Sequence, residues 1–516
     1  MWSSIKKMLA QTGLQRRSGW GVTLISSALL CALPSQAQLP TLGEGGSMTT
    51  GAERRMGDRI ARELYRDTDY LDDPVLVEYV QSIWQPLLAA ARTRGDLTPE
   101  LYERFAWKIM LGRDRSVNAF ALPGGYFGLH LGLMGVVSSR DELASVLAHE
   151  ISHVTQRHIS RLISQQSQQS PLLLGAMILA LLAASKNPQA ASAVMVGGQA
   201  VAIQSQLNFS RDMEREADRV GYSAMTQAGF APQGFVTMFE KLQQASRLND
   251  NSAFPYLRSH PMTTERMADM QGRQQLQENA NQPVTATLEH AMAAARARVL
   301  SGPGAETLRG WVNEAQSSEL AKQDLTQRCA VLYAAALASA KLRENASVQG
   351  WLASLQTLTR EEPRAARLIR LLAIEVQTGA AQAQNAAALA TAGTTHWERP
   401  ELMLAVAGLV KLGRAKEAAQ HLQSWLALQP GDSLAWQQLA QAYAAQGQTL
   451  SAVRAEAEVR VAQLDYPAAL DRFRAAQDLA RDSSRRNEAG AHIEASIIDA
   501  RTRQVQLLFK EQALER

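Results

Sequence analysis

The stretch Val146-Leu147-Ala148-His149-Glu150-Ile151-Ser152-His153-Val154 decides the reading of this chain. It follows Asp141-Glu142-Leu143-Ala144, acidic residues that suit a first helical turn ahead of an apolar run. In a helix, His149 and His153 are i and i+4, one turn apart on one face. Two imidazole nitrogens can then reach a single Zn²⁺. Glu150 lies one step on, beside the metal's open position, where it can take a proton from water. A bare HExxH recurs by chance. Here the intervening and flanking residues are uncharged, as a helix buried beside a metal requires, and a surface helix with solvated histidines fits that text poorly.

Catalytic zinc takes a third protein donor. Downstream lies Ser210-Arg211-Asp212-Met213-Glu214-Arg215-Glu216-Ala217-Asp218, in which Glu214 and Asp218 are again i and i+4. Glu214 can supply a carboxylate oxygen. Asp218 can accept a hydrogen bond from the far nitrogen of a ligand histidine and fix its tautomer. Without the upstream motif the pair would read as an ordinary charged helix face. His158, five residues past His153, does not fit the spacing of a third histidine ligand and reads as structural or surface.

Outward from these motifs the chain is mostly helical. Arg59–Tyr65 has helical apolar spacing, and Asp72-Asp73-Pro74 opens a helix running through Leu88. The strand-bearing zone is short: Phe105–Met110 and Tyr126–Leu131 flank the turn-rich Asn118–Gly125, which predicts a small sheet of three strands. Pro171–Ala184 is almost wholly apolar but too short to span a bilayer comfortably. It reads as a buried or partner-facing helix, with peripheral membrane contact left open.

The first 37 residues read as a cleaved secretory signal: a basic start, the apolar run Trp20–Leu33, and Pro34-Ser35-Gln36-Ala37. Residues 38–50 form a Gly/Ser/Thr-rich linker. Lys6, Lys7, Arg16 and Arg17 account for the whole formal charge of +4, so the body is neutral, which argues against nucleic-acid binding. Losing the signal removes Cys31 and leaves Cys329 without an internal disulfide partner.

Across 516 residues the composition is globular, and the low aromatic content of 6% in Ala/Leu/Gln-rich text favours helices. A boundary falls at 278–284, between a catalytic unit at 51–277 and a helical unit at 285–516. In the latter, Gly413 follows Leu412 and Gly447 comes 34 residues later, preceded by Leu439, Ala440 and Tyr443. A third turn stands at Asp465-Tyr466-Pro467. That period is similar to tetratricopeptide repeats. An ordinary helical bundle is the alternative, and residues 300–400 give no readable register.

HExxH followed by SRxxExEAD resembles the zinc metallopeptidase family that contains HtpX and the CAAX prenyl proteases. The resemblance implies one Zn²⁺ per chain, with Glu214 rather than Glu216 as third donor beside His149 and His153. It implies that Asn118–Gly125 precedes an edge strand, Tyr126–Leu131, which holds substrate by β-augmentation. Ser259-His260-Pro261 with Arg266 matches a further family pattern. His260 and Arg266 could stabilise an oxyanion, or His260 could fill the open zinc position and keep the enzyme latent. The expected fold is mainly α: a zincin-type metallopeptidase domain with a small sheet, then an all-α tetratricopeptide-like solenoid.

The domain order resembles the periplasmic members of that family. It implies an endopeptidase, with Glu150 as base, acting on misfolded or stalled outer-membrane proteins. The repeats would bind clients or the β-barrel assembly machinery. Two other readings stand beside it: a chaperone or scaffold with a mostly silent peptidase, and a membrane-bound protease, which rests on residues 171–184 alone.

Overall fold

Capping residues set the first helices. Thr49 accepts from the Ala52 N–H ahead of α1 (Thr50–Arg66). Asp73 accepts from the Leu76 N–H at 2.8 Å and Pro74 takes the first turn of α2 (Pro74–Arg94), which stops at Gly95 in a left-handed conformation. The structure, a computed structural model, describes residues 48–165, 210–247, 253–276, 286–344, 346–378, 397–485 and 491–513. The expected signal at 1–37, the apolar run 171–184, the boundary at 278–284 and nearly all of the 38–50 linker lie outside these residues.

Between α1 and α2 sits β1 (Tyr70–Leu71). After α3 (Pro99–Arg104) come β2 (Lys108–Gly112), β3 (Ala119–Leu122) and β4 (Tyr126–His130). The sheet order is β1-β2-β4-β3, so it has four strands, not the expected three. β2 and β4 are parallel, Lys108 opposite Tyr126, while β3 is antiparallel to β4. The order corrects one expectation. β4 lies inside the sheet and is buried along its whole length, and the edge strand is β3, within the segment read as turns. The parallel β2–β4 pairing is the cause, because it takes up the edge of β4 that β3 leaves open. The text of β4, Tyr126-Phe127-Gly128-Leu129-His130, lacks the apolar–polar alternation of a strand with one wet face. Gly128 of β4 is required where it stands, since a Cβ there would lie 2.1 Å from the Phe120 ring of β3.

The chain continues through α4 (Leu131–Val136), α5 (Arg140–Thr155) and α6 (His158–Gln165). It resumes in α7 (Arg211–Gln227), α8 (Gln233–Arg247), the single turn α9 (Tyr256–Ser259) and α10 (Thr264–Gln275). α5 packs against β3, α7 and α8. One core, built on Trp84, Phe127, Leu147 and Phe235, joins the sheet to these helices.

The remaining described chain is all helix. α11 (Leu288–Leu300) comes first, then α12 (Ala305–Gln316), α13 (Leu325–Leu342), α14 (Val348–Leu358) and α15 (Pro363–Thr378). They are followed by α16 (Arg399–Lys411), α17 (Ala415–Leu428), α18 (Ser433–Ala445), α19 (Thr449–Ala462), α20 (Tyr466–Arg485) and α21 (Ala491–Ala513). Gly413 and Gly447, both at φ above +70°, make the α16–α17 and α18–α19 turns. α11 serves two cores. Ala293 and Ala297 face the catalytic helices, and Met292, Ala295 and Val299 face α13 and α15.

Three arginines tie the start of α2 to these later helices. Arg296 bridges Asp73 and Glu375, each at 2.6 Å. Arg367 bridges Glu78 and Glu401, and Arg399 bridges Asp72 and Asp432, each at 2.8 Å. Farther on, Arg66 of α1 meets Asp465 at 2.8 Å. Residues Gly46–Arg516 thus form one compact unit. Arg296 is only 1% exposed, so truncating it strands the buried Asp73 and takes the partner from half-buried Glu375. Arg296→Ala is therefore expected to cost about 3–5 kcal/mol, read as a lowered midpoint in denaturant unfolding of the full chain.

Candidate metal centre

Ser139 starts α5 by accepting from the Glu142 N–H at 3.1 Å, and every residue from Glu142 to Thr155 is buried. His149, Glu150 and His153 are therefore carried into the interior with exposures of 1% or less. α7 lies directly on this helix, where Gly221 allows the approach. A Cβ there would stand 3.0 Å from the Ala148 carbonyl carbon and the His149 nitrogen. That contact sets Glu214 and Asp218 against the histidines. Pro255 and α9 deliver His260 from the opposite direction, its ring stacked on Tyr256 at 4.5 Å between centroids.

His149, His153, Glu214 and His260 each offer a ligand atom, and these atoms lie within 4.8 Å of one another. The two Nε2 atoms of His149 and His153 are 2.9 Å apart. Glu214 reaches them at 3.5 and 3.4 Å and the Nδ1 of His260 at 3.0 Å. Behind the cluster, Asp218 Oδ1 is 3.0 Å from His149 Nδ1. Glu150 Oε1 is 3.5 Å from His260 Nε2, and the Tyr256 hydroxyl also faces the Glu150 carboxylate.

The electrostatics suit a cation. Burial drives His153 well below the usual imidazole range, so it is neutral, as a ligand must be. Burial works against the Glu214 carboxylate, but His260 and hydrogen bonds from His149 and His153 outweigh it and hold it well below the usual range. Burial likewise opposes charge on His149, yet Asp218 and then Glu214 lift it to about 9. The acids that hold a proton there attract a metal for the same reason. Glu150 is raised by burial, against the pull of His260 and His149. Two imidazoles, a carboxylate and a fourth nitrogen, all buried and convergent, fit zinc.

Arg266, expected beside His260 as one of two oxyanion donors, lies among the protein's own oxygens. Its fork grips Asp218 at 2.6 and 2.7 Å, and Nη1 is engaged by the Pro261 carbonyl and Glu214, both at 2.9 Å. It fixes the two carboxylates instead. His158, read as structural or surface, is fully buried, and its Nδ1 lies 2.8 Å from His153 Nδ1. Glu216, set aside as a ligand, accepts from His158 Nε2 at 3.1 Å and from Arg161 at 2.9 Å. In the sequence His158 stands among polar residues, Thr155-Gln156-Arg157 before it and Ser160-Arg161 after Ile159, so no local signal marked it.

Fold and site together define a zinc metalloendopeptidase. Comparison with known proteins gives the family. Residues 78–274 match the model of peptidase family M48. Over 438 residues the chain is 31% identical to the β-barrel assembly-enhancing protease of Escherichia coli strain K12, covering 84% of this chain and 86% of that one. It is 30% identical over 457 residues to the β-barrel assembly-enhancing protease of Yersinia pestis, covering 84% and 89%. The mitochondrial metalloendopeptidase OMA1 of Saccharomyces cerevisiae is 27% identical over 196 residues, 37% of this chain and 54% of the relative. The chain belongs to peptidase family M48, in the group of the β-barrel assembly-enhancing proteases.

Removing a donor leaves too few for tight binding. His149→Ala and Glu214→Ala are each expected to reduce zinc, measured by elemental analysis of purified protein, to well below one per chain. Full stoichiometry in either variant would remove that residue from the donor set.

Proposed function

We propose that this chain is a periplasmic zinc endopeptidase that degrades misfolded or stalled outer-membrane proteins, its helical repeats contacting clients or the β-barrel assembly machinery. The observation that carries the reading is the buried cluster of His149, His153, Glu214 and His260 with the buried Glu150 carboxylate beside it. The names of the relatives support a role in β-barrel assembly. The secretory text of residues 1–37 supports the compartment. No helix among the described residues is long and apolar enough to cross a membrane.

In this reading His149, His153 and Glu214 hold the zinc. When bound, zinc supplies Lewis acidity to polarise a scissile carbonyl. Glu150 is the base. Its carboxylate, raised by burial and set beside His260 and Tyr256, accepts the proton of the attacking water and passes it to the leaving nitrogen. Asp218 orients His149 through Nδ1, and Arg266 keeps Asp218 and Glu214 in place. β3 has one unpaired edge in the described sheet and packs beside α5. An extended segment can add to that edge, which suits unfolded substrates.

Of the two roles open to His260, its Nδ1 among the donor atoms favours the plug. It stands in the fourth position, which a catalytic site must keep for substrate or water. The same contact favours a second reading, a scaffold whose peptidase stays shut.

The reading is tested with casein and three forms of residues 38–516. Glu150→Gln is expected to retain zinc and lose at least about 100-fold in cleavage rate; unchanged cleavage would remove Glu150 from the mechanism. His260→Ala is expected to cleave faster than the unaltered chain, and slower cleavage would return His260 to oxyanion stabilisation. No cleavage by any zinc-loaded form would move the assignment to the scaffold.

A further inference from the structure

Two imidazoles meet behind the metal cluster. His153 turns Nε2 toward His149 and Glu214, and its Nδ1 away from them. That outer nitrogen is 2.8 Å from Nδ1 of His158, and His158 Nε2 is 3.1 Å from Glu216 Oε2. Arg161 binds the same Glu216 oxygen at 2.9 Å. His158 is fully buried, whereas Glu216 is partly exposed at the rim.

Valence allows one arrangement when Nε2 of His153 gives its lone pair to a metal. Its Nδ1 then carries the hydrogen and must donate. His158 Nδ1 must accept, so His158 carries its own hydrogen on Nε2. Glu216, a carboxylate, can accept there, and Arg161 keeps it charged and oriented. Each donor meets an acceptor and no alternative tautomer satisfies all three contacts. Such an outer partner orients a ligand ring and raises its basicity.

The spacing that counted against His158 is explained by the backbone. His153 and His158 are five apart, which on one unbroken helix would set them on different faces. Arg157 between them has φ +53°, a left-handed conformation unusual for a residue with a side chain, and it ends α5 and turns α6 back. The strained residue is held in place. Its guanidinium meets buried Glu53 at 3.0 Å, Ser160 at 3.1 Å and the Met48 carbonyl.

We infer that His158, backed by Glu216, is a positioning residue that fixes the ring and tautomer of His153 for metal binding. This rests on the reading of His153 as a zinc donor. It gives His153 an outer partner matching the one Asp218 gives His149, an imidazole relayed to a carboxylate in place of a carboxylate alone.

The experiment measures zinc affinity of the mature chain by competition with a chromophoric chelator, alongside thermal unfolding of the metal-free protein. His158→Phe fills the volume but cannot accept a hydrogen bond. It is expected to weaken zinc binding about 10–100-fold with little change in metal-free melting. His158→Asn sets an amide oxygen near the lost Nδ1 and should recover most of that affinity. Glu216→Ala, at a partly exposed position, should fold normally and lose several-fold. Affinities of His158→Phe and Glu216→Ala within twofold of the unaltered chain would overturn the inference, as would equal losses in His158→Phe and His158→Asn. His153→Ala separates the two readings. If it binds zinc normally, the donor assignment itself fails; if it loses zinc while His158→Phe does not, only the positioning role fails.

Discussion

The constraint on which the catalytic half depends is the burial of α5. A helix that takes two imidazoles and a carboxylate out of water must find partners for them, because unpaired polar groups in the interior cost several kcal/mol. Each neighbouring element answers that demand. α7 brings Glu214 and Asp218 through the close contact at Gly221. The α9 turn brings His260, and α10 brings Arg266. The turn at Arg157 brings His158. Glu150 faces His260 at 3.5 Å and the Tyr256 hydroxyl.

Charge balance explains why Arg266 acts as a brace. Glu214 and Asp218 approach a buried site from one helix, a turn apart, and would repel each other there. Arg266 touches both, so the pair remains ionised and aimed. A lysine would not serve equally, because the fork geometry of the guanidinium spans Asp218 with two donors while a third reaches Glu214. The ion pairs Arg215–Glu265 and Arg219–Asp269 join α7 to α10 along their exposed sides, but at that exposure they contribute little. The buried contacts set the geometry.

What could be read from the sequence was whatever has a local signature. The HExxH spacing, the Glu214/Asp218 pair and the Asp73-Pro74 helix start each state their geometry within a few residues, and the structure has the same residues in contact. The position of β4 was not legible, because alternation reports burial and not which neighbour a strand pairs with. β3 hid among residues that favour turns. The contact of His158 with His153 was not legible, because it depends on a left-handed residue that no rule marks at an arginine. The bridges of Arg296, Arg367 and Arg399 to α2 span 223, 289 and 327 residues, and no periodicity in the chain relates their ends.

Those bridges bear on how the helical half and the site are joined. All three end within seven residues at the start of α2, and α2 itself packs on α5. The helices beyond α10 are thus keyed to the helix that supports the metal cluster. Buried ion pairs add little net stability over apolar packing of the same volume. Their use lies in specificity: a guanidinium shared between two carboxylates accepts one registry and penalises a slip of even one position. The same argument applies at the other end, where Arg66 of α1 meets Asp465 and Leu464 packs beside Met56. Contacts at both ends leave the later helices little freedom to swing as a tethered module. Any influence of a bound partner on the site must therefore pass through small shifts at these joints, in α1, α2 and the shared helix α11, and not through a hinge between two independent bodies.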